Sequence, residues 1–378
     1  MSDLDRAIDA LDAYGTPGAP DAYGTPLAPA VTDGMLLRWL SRARALGASD
    51  LLLVAGVPPS VRVNARITAL DGEETLDGEQ IERAVLPALP EHARRAFRDG
   101  QAVDARLMLD AGRFRVNLHR ERGRAAAAVR VLPGAPPRLA ALDLPAGVEA
   151  LAHLPRGLVL IGGATGVGKT TTLAALVDDI NRRDARHIVT IEDPIEYEHR
   201  HQRSIVEHVE VGIDAPDFAS ALRAAVRQAP DVIVVGEMRD PETMQIALAA
   251  AETGHVVFSS VHTTDAASTV GRIADSFPPE RQPTVRQDLS MALAAIYTQI
   301  LLPRRGGGLV PAGELLVLGY GARQHIRKNA LQHLRQEITL TRRHGSFTLE
   351  DSLTRLVRDG LIDRAEAVAR AVHPDELG

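Results

Sequence analysis

Cysteine is absent from all 378 residues, which excludes disulfides, thiolate nucleophiles and Cys-ligated zinc or iron–sulfur sites. Aromatic residues make up only 3%, too few for base-stacking platforms. Positive charge does not dominate: 43 basic against 49 acidic residues leave a net charge of -6, which argues against a nucleic-acid binder. No apolar run reaches the roughly 18 residues of a membrane-spanning helix, and the acidic opening Met1–Asp12 predicts no secretory signal. These absences point to a soluble cytoplasmic protein of about two domains. Lysine is nearly missing as well. Lys169 and Lys328 are the only two, so almost every positive charge is an arginine.

Residues 1–31 hold a near-repeat, Ala13-Tyr-Gly-Thr-Pro and Ala22-Tyr-Gly-Thr-Pro, in a Pro/Gly/Ala-rich stretch expected to be a disordered tail. Apolar residues three and four apart over Met35–Leu46 predict an amphipathic helix that Gly47 ends. Runs at Asp50–Val54, Val61–Ile67, Ala102–Leu109, Arg113–Leu118 and Ala125–Leu132 predict strands, so 32–132 reads as a small α+β domain. Pro133-Gly-Ala-Pro-Pro137 opens a linker over 133–145. Over 146–378, apolar strands at Gly157–Gly162, His187–Ile191, Asp231–Val235 and His255–Val261 alternate with helices at Lys169–Asn181, Asp217–Gln228 and Asp240–Glu252. That alternation predicts an α/β domain with a mostly parallel sheet covered on both faces, followed beyond Tyr320 by a helical part.

One segment carries recognisable chemistry. Gly163-Ala-Thr-Gly-Val-Gly-Lys-Thr170 fits G-x-x-x-x-G-K-[ST], after an apolar strand and before a helix, as that motif requires. Gly163, Ala164, Thr165, Gly166, Val167, Gly168, Lys169, Thr170 and Thr171 are therefore the candidate nucleotide-binding residues. Lys169 is expected to reach the β- and γ-phosphates and Thr170 to ligate Mg²⁺. A compact ammonium suits a point contact to phosphate, and this chain spends one of its two lysines there. Hydrolysis also needs a carboxylate near the metal and the attacking water. Two strand ends offer one: Glu192 in Ile188-Val-Thr-Ile-Glu192, and Glu237 in Asp231-Val-Ile-Val-Val-Gly-Glu237. Gly236 stands where an Asp is usual, and the acids at 192 and 193 are placed to supply that deficit.

The phosphate loop, Thr190-Ile-Glu-Asp-Pro-Ile-Glu-Tyr197, Gly236-Glu-Met-Arg-Asp240 and the Ala250–Thr264 stretch with His255 and His262 stand in this order. They resemble the Walker A, Asp box, Walker B and His box of the type II/type IV secretion ATPases, most closely the type IV pilus retraction branch. The resemblance runs from about residue 32 to the C-terminus. It implies a homo-hexameric ring whose subunits join a PAS-like N-terminal domain to a RecA-like P-loop ATPase domain, with ATP between them. It further implies Mg²⁺-dependent ATP hydrolysis driving pilus retraction and twitching motility. Carried over by position, Lys169, Glu192 and Glu237 are catalytic, and Thr170, Glu192 and Glu237 hold the metal. His255 and His262 sense nucleotide state, and Arg113, Arg115, Arg124 and Arg130 reach phosphate. The implied partners are the inner-membrane platform protein of the pilus and a paralogous retraction ATPase, so that the motor is peripheral to the membrane. Three departures stand out. Ala164 and Val167 replace the usual Pro and Ser of the loop, Leu52 replaces a usual His, and the retraction signature survives only loosely as Gly321-Ala-Arg-Gln-His-Ile326. They leave three alternatives: an accessory retraction motor, another secretion or assembly ATPase, and a non-catalytic ATP-binding ring subunit.

Overall fold

Leu36, Trp39, Leu40 and Ala43 line one face of the first helix, α1 (Gly34–Ala45), and all four are buried. That face packs on a six-stranded antiparallel sheet in the order β3-β2-β1-β6-β5-β4. Its strands are β1 (Asp50–Leu53), β2 (Ser60–Val63), β3 (Arg66–Ala69), β4 (Val103–Leu109), β5 (Gly112–Glu121) and β6 (Arg124–Val131). The computed structural model describes residues 34–63, 66–109 and 111–378, so the tail expected over 1–31 lies outside the described residues. The chain divides into two compact units, with the boundary between Gly134 and Ala135.

Within the smaller unit, the single strand expected over Val61–Ile67 is two. Val63 pairs with Arg66, so β2 and β3 form a hairpin, and Asn64 is the one turn-favouring residue in that run. Two helices, α2 (Gly78–Val85) and α3 (Glu91–Arg98), were not legible as periodic runs. A capping box starts α2: Asp77 accepts from the Gln80 N–H and Gln80 accepts from the Asp77 N–H. One sheet face buries Leu51, Val61, Leu107, Val116 and Val129. On the other, Arg62, Asp50, Arg130, Arg115 and Arg106 stand opposite one another in a row across five strands.

The larger unit is built on seven strands: β7 (Gly157–Gly162), β8 (His187–Glu192), β9 (Ile205–Glu210), β10 (Val232–Glu237), β11 (Val256–Val261), β12 (Leu293–Pro303) and β13 (Leu309–Val317). Their order is β13-β12-β7-β11-β10-β8-β9, and only β13 runs antiparallel to its neighbour. Every residue of β7 and β11 is buried, because successive side chains feed two different cores. Leu158 and Leu160 join one, and Val159 and Ile161 join the other. A short α4 (Ala146–Glu149) and α5 (Lys169–Arg183) cover the second face. Leu139 and Leu144, inside the expected linker, are buried in that same core. The first face is covered by α6 (Phe218–Ala225), α7 (Pro241–Glu252), α8 (Ala266–Asp275) and α9 (Gln282–Ala292). Beyond β13 come α10 (Tyr320–Arg327), α11 (Leu334–Leu340), α12 (Leu349–Arg358) and α13 (Arg364–Arg370). Parallel β7, β8, β10 and β11 all end at one edge of the sheet, where open α/β sheets bind ligands.

The β12–β13 hairpin flanks that edge, and its packing depends on one glycine. Gly313 lies opposite Gln299, and a Cβ there would fall 2.6 Å from Cε2 of the fully buried Tyr297 and collide with the Thr298 carbonyl. Gly313→Ala is therefore expected to lose about 1–3 kcal/mol of stability through overpacking. Thermal denaturation checks this, and an unchanged midpoint contradicts so close an approach.

Candidate nucleotide-binding site

The loop between β7 and α5 turns on three glycines. Gly163, Gly166 and Gly168 adopt φ of 145°, 82° and 88°, a region that side chains disfavour, and Gly168 caps α5. Such a curl presents backbone N–H groups to an anion at a helix N-terminus. Lys169 is buried, and its Nζ donates to the carbonyls of Gly163 at 2.8 Å and Ala164 at 2.9 Å. Burial holds this ammonium below its ordinary pKa, while the Glu237 carboxylate pulls it back up. The Glu237 carboxylate thus acts on the loop lysine from 68 positions further along the sequence. Thr170 is half-buried on the first turn of α5. Thr171 Oγ1 lies 3.0 Å from Tyr197 Oη, which ties α5 to the segment after β8.

The carboxylates come from adjacent strands. Val235 on β10 pairs with Ile191 on β8, so Gly236 and Glu192 are the next residues side by side. At Gly236 the register of β10 against β11 shifts, a bulge that re-aims Glu237. Ser260 Oγ donates to the Gly236 carbonyl at 2.6 Å and holds it. A Cβ at position 236 would lie 3.3 Å from the Ile191 carbonyl and 3.7 Å from Glu192 Cγ. Glu192 therefore occupies space beside the position where an Asp is usual. Glu237 Oε1 meets Arg239 Nη2 at 2.5 Å, and its Oε2 lies 3.6 Å from His262 Nε2. These groups, with Ser260 and Arg272, line a cavity of about 330 Å³. Glu192 accepts from the Glu196 N–H at 3.4 Å, and His208 Nδ1 stands 3.8 Å away.

Histidines divide sharply by location. His255 precedes β11 and donates from Nδ1 to the Ala250 carbonyl at 2.8 Å, fastening the end of α7. His262 follows β11, and six strand residues at about 3.3 Å each put roughly 20 Å between the two. Within this chain His262 reaches Glu237 and His255 does not. The four arginines lie on the smaller unit's sheet. Arg115 pairs with Asp104 at 3.5 Å, Arg124 with Glu121 at 3.3 Å and Arg130 with Asp50 at 3.3 Å, while Arg113 lies near the start of β5. Sequence reasoning missed Gln299 of β12, whose amide touches the phosphate loop from outside every motif. It also missed the His199–His208 pair, with ring centroids 5.6 Å apart.

The family model described as type II/IV secretion system protein matches residues 138–346. The type IV pilus retraction ATPase PilT of Pseudomonas aeruginosa is 38% identical over 332 residues, 88% of this chain and 96% of its own. The chain belongs to the type II/IV secretion system protein family. Another member, the type IV pilus ATPase PilU of the same organism, is 39% identical over 336 residues, 88% of this chain and 87% of its own. A crystal structure of the pilus retraction motor PilT with bound ADP superposes with a TM-score of 0.82 at 43% identity. It covers 90% of this chain and 98% of that one. That agreement makes this family member an α/β protein of the PilT architecture, an antiparallel-sheet unit followed by a mixed-sheet ATPase unit.

The histidine pair generates a pH prediction. Burial, with His208 adding to it, pushes His199 down to about 3. The unfolded chain takes up a proton near pH 6.5 and the folded chain does not, so stability is lost as pH falls from there towards 3. The loss approaches about 1.4 kcal/mol per pH unit. His199→Asn is expected to flatten the fall in unfolding midpoint between pH 6 and 4, and parallel curves for the two proteins contradict the burial.

Proposed function

We propose that the chain is a Mg²⁺·ATP-driven motor that retracts type IV pili, working as a homo-hexameric ring. ATP hydrolysis is the activity of the family to which it belongs. The observation that carries the reading is a curled glycine loop with a buried lysine resting on its own carbonyls, in a chain similar along 88% of its length to a retraction ATPase. Among the described residues no helix is long and apolar enough to cross a membrane. We place the ring in the cytoplasm, docked on the inner-membrane platform protein of the pilus.

The loop amides would cradle the phosphates, and Lys169 would exchange the Gly163 and Ala164 carbonyls for β- and γ-phosphate oxygens. Thr170, Glu192 and Glu237 would hold Mg²⁺. No group of three or more His, Cys, Asp or Glu side chains that could hold a metal ion stands among the described residues, and Mg²⁺ takes few protein ligands beside phosphates and water. When bound, the ion neutralises charge on the transferring phosphoryl group. Glu237 would orient the attacking water and accept its proton, once it releases Arg239. His262, 3.6 Å from that carboxylate, would register its state, whereas His255 would have to act elsewhere. Arg113, Arg115, Arg124 and Arg130 are proposed phosphate contacts, and Arg115, Arg124 and Arg130 must first give up a carboxylate.

An accessory role in retraction is the second reading. The chain is as similar to the ATPase PilU as to PilT, and its 321–326 segment is rebuilt around Glu337. A Cβ on Gly321 would fall 2.6 Å from Glu337 Cδ, so the usual Ala of the retraction signature would displace that carboxylate.

Lys169→Ala is expected to weaken nucleotide binding and abolish turnover. Glu237→Gln should still bind nucleotide and lose about 10²–10⁴ in turnover. A phosphate-release assay beside titration with a fluorescent ADP analogue reads both, and wild-type turnover in either variant overturns the assigned roles. Expression in a retraction-deficient host separates the two readings. Twitching restored by this chain alone supports a full motor, and restoration only beside a second retraction ATPase supports the accessory one.

A further inference from the structure

Gln299 belongs to none of the sequence motifs, yet it is almost completely buried with both ends of its amide engaged. Nε2 donates to the Val167 carbonyl at 2.5 Å, and Oε1 accepts from Thr172 Oγ1 at 2.7 Å. Val167 lies in the phosphate loop and Thr172 in the first turn of α5, so one planar amide spans the loop–helix junction at Gly168. A buried amide is costly unless bonded, and a leucine would fill similar space without that cost. What the amide gains here is held entirely by the loop and its helix.

We propose that Gln299 is a positioning residue that keeps the phosphate loop in its anion-binding form, an inference that rests on the nucleotide-hydrolysing reading above. The carbonyl of a trans peptide and the following N–H point in opposite directions. Drawing the Val167 carbonyl towards β12 therefore turns the Gly168 N–H away from β12, into the phosphate seat. The same residue fixes the loop sterically. A Cβ on Gly163 would fall 2.6 Å from the Gln299 carbonyl, and one on Gly168 would fall 3.0 Å from its Nε2. Two of the three loop glycines are thus required partly by this strand. The Thr172 bond anchors the amide to α5, so the Nε2 donor cannot follow the loop if it opens. Lys169 supplies charge, and Gln299 sets the direction in which the neighbouring backbone donor faces.

The test measures KM and kcat for ATP, and the dissociation constant of a fluorescent ADP analogue, on the full chain. Gln299→Leu is expected to raise KM and the dissociation constant about tenfold, with kcat changed less than threefold. Gln299→Glu keeps the acceptor for Thr172 but has no donor for Val167, and it should lose at least as much affinity. Thr172→Val, which frees the amide without removing it, should raise KM about threefold. Wild-type KM in Gln299→Leu or Gln299→Glu overturns the proposal. A fall in kcat at unchanged KM also overturns it, because that is the signature of a merely damaged fold. If both Gln299 variants fail to fold, wild-type KM in Thr172→Val overturns it. Absence of turnover and of analogue binding in the unmodified chain would instead overturn the underlying ATPase reading.

Discussion

Backbone around the phosphate loop comes so near β12 that an added side chain would be crowded at three positions. A Cβ on Gly162 would lie 2.8 Å from Thr298 Cγ2, one on Gly163 would lie 2.6 Å from the Gln299 carbonyl, and one on Gly168 would lie 3.0 Å from Gln299 Nε2. This close approach is what lets β7 run straight into a curled loop and then into α5 without a gap in the core. It also explains why the loop tolerates Ala164 and Val167 in place of bulkier or polar residues. β12 meets Val167 through its carbonyl, and the phosphate would be held by backbone and by Lys169.

Charge at the site is arranged as a set of exchanges. Two of the three Lys169 protons go to loop carbonyls, and Glu237 is engaged by Arg239 with His262 nearby. Each partner is one the group can leave cheaply. The carbonyls retain a second lone pair, and Arg239 is 73% exposed, so water replaces Glu237 on it. A buried lysine with no partner would be costly, whereas one resting on its own loop is held ready. The same logic covers the smaller unit, where Asp50 joins Arg62 and Arg130 and so keeps a row of like charges from repelling.

What the sequence discloses here follows the range of the interaction. The loop, helices α1, α5, α6 and α7 and the buried strands β7, β8, β10 and β11 are local patterns, and they read correctly to within a few residues. The rest depends on partners far along the chain. Gln299 lies 132 positions from Val167, and β12 spells an apolar run that periodicity cannot assign to strand or helix. His255 and His262 look equivalent in sequence, but a six-residue strand separates them to opposite edges of the sheet. Helix α3 buries only Ala93 and Phe97 among its eight residues, so its apolar stripe is too thin to register. Among 43 basic residues, nothing local marks which arginines meet a phosphate and which meet a neighbouring carboxylate.

The loose signature at 321–326 illustrates how a motif can change its letters and keep part of its mechanics. Arg323, the position that matches the family's arginine, sends Nη1 to the carbonyls of Ser290 and Met291 and so closes the last turn of α9. Ile326 stays fully buried in the core shared with α9. What differs is the start of α10, where Gly321 makes room for the Glu337 carboxylate from α11 beside a helix N-terminus, an arrangement that favours negative charge. His325, 3.5 Å from that carboxylate and tilted against His333, completes the rewiring. Gly321, Glu337, His325 and His333 therefore form one connected set of contacts around α10. Tyr320, 78% exposed, projects from the first turn of α10 and gives this end of the helix an aromatic surface contact.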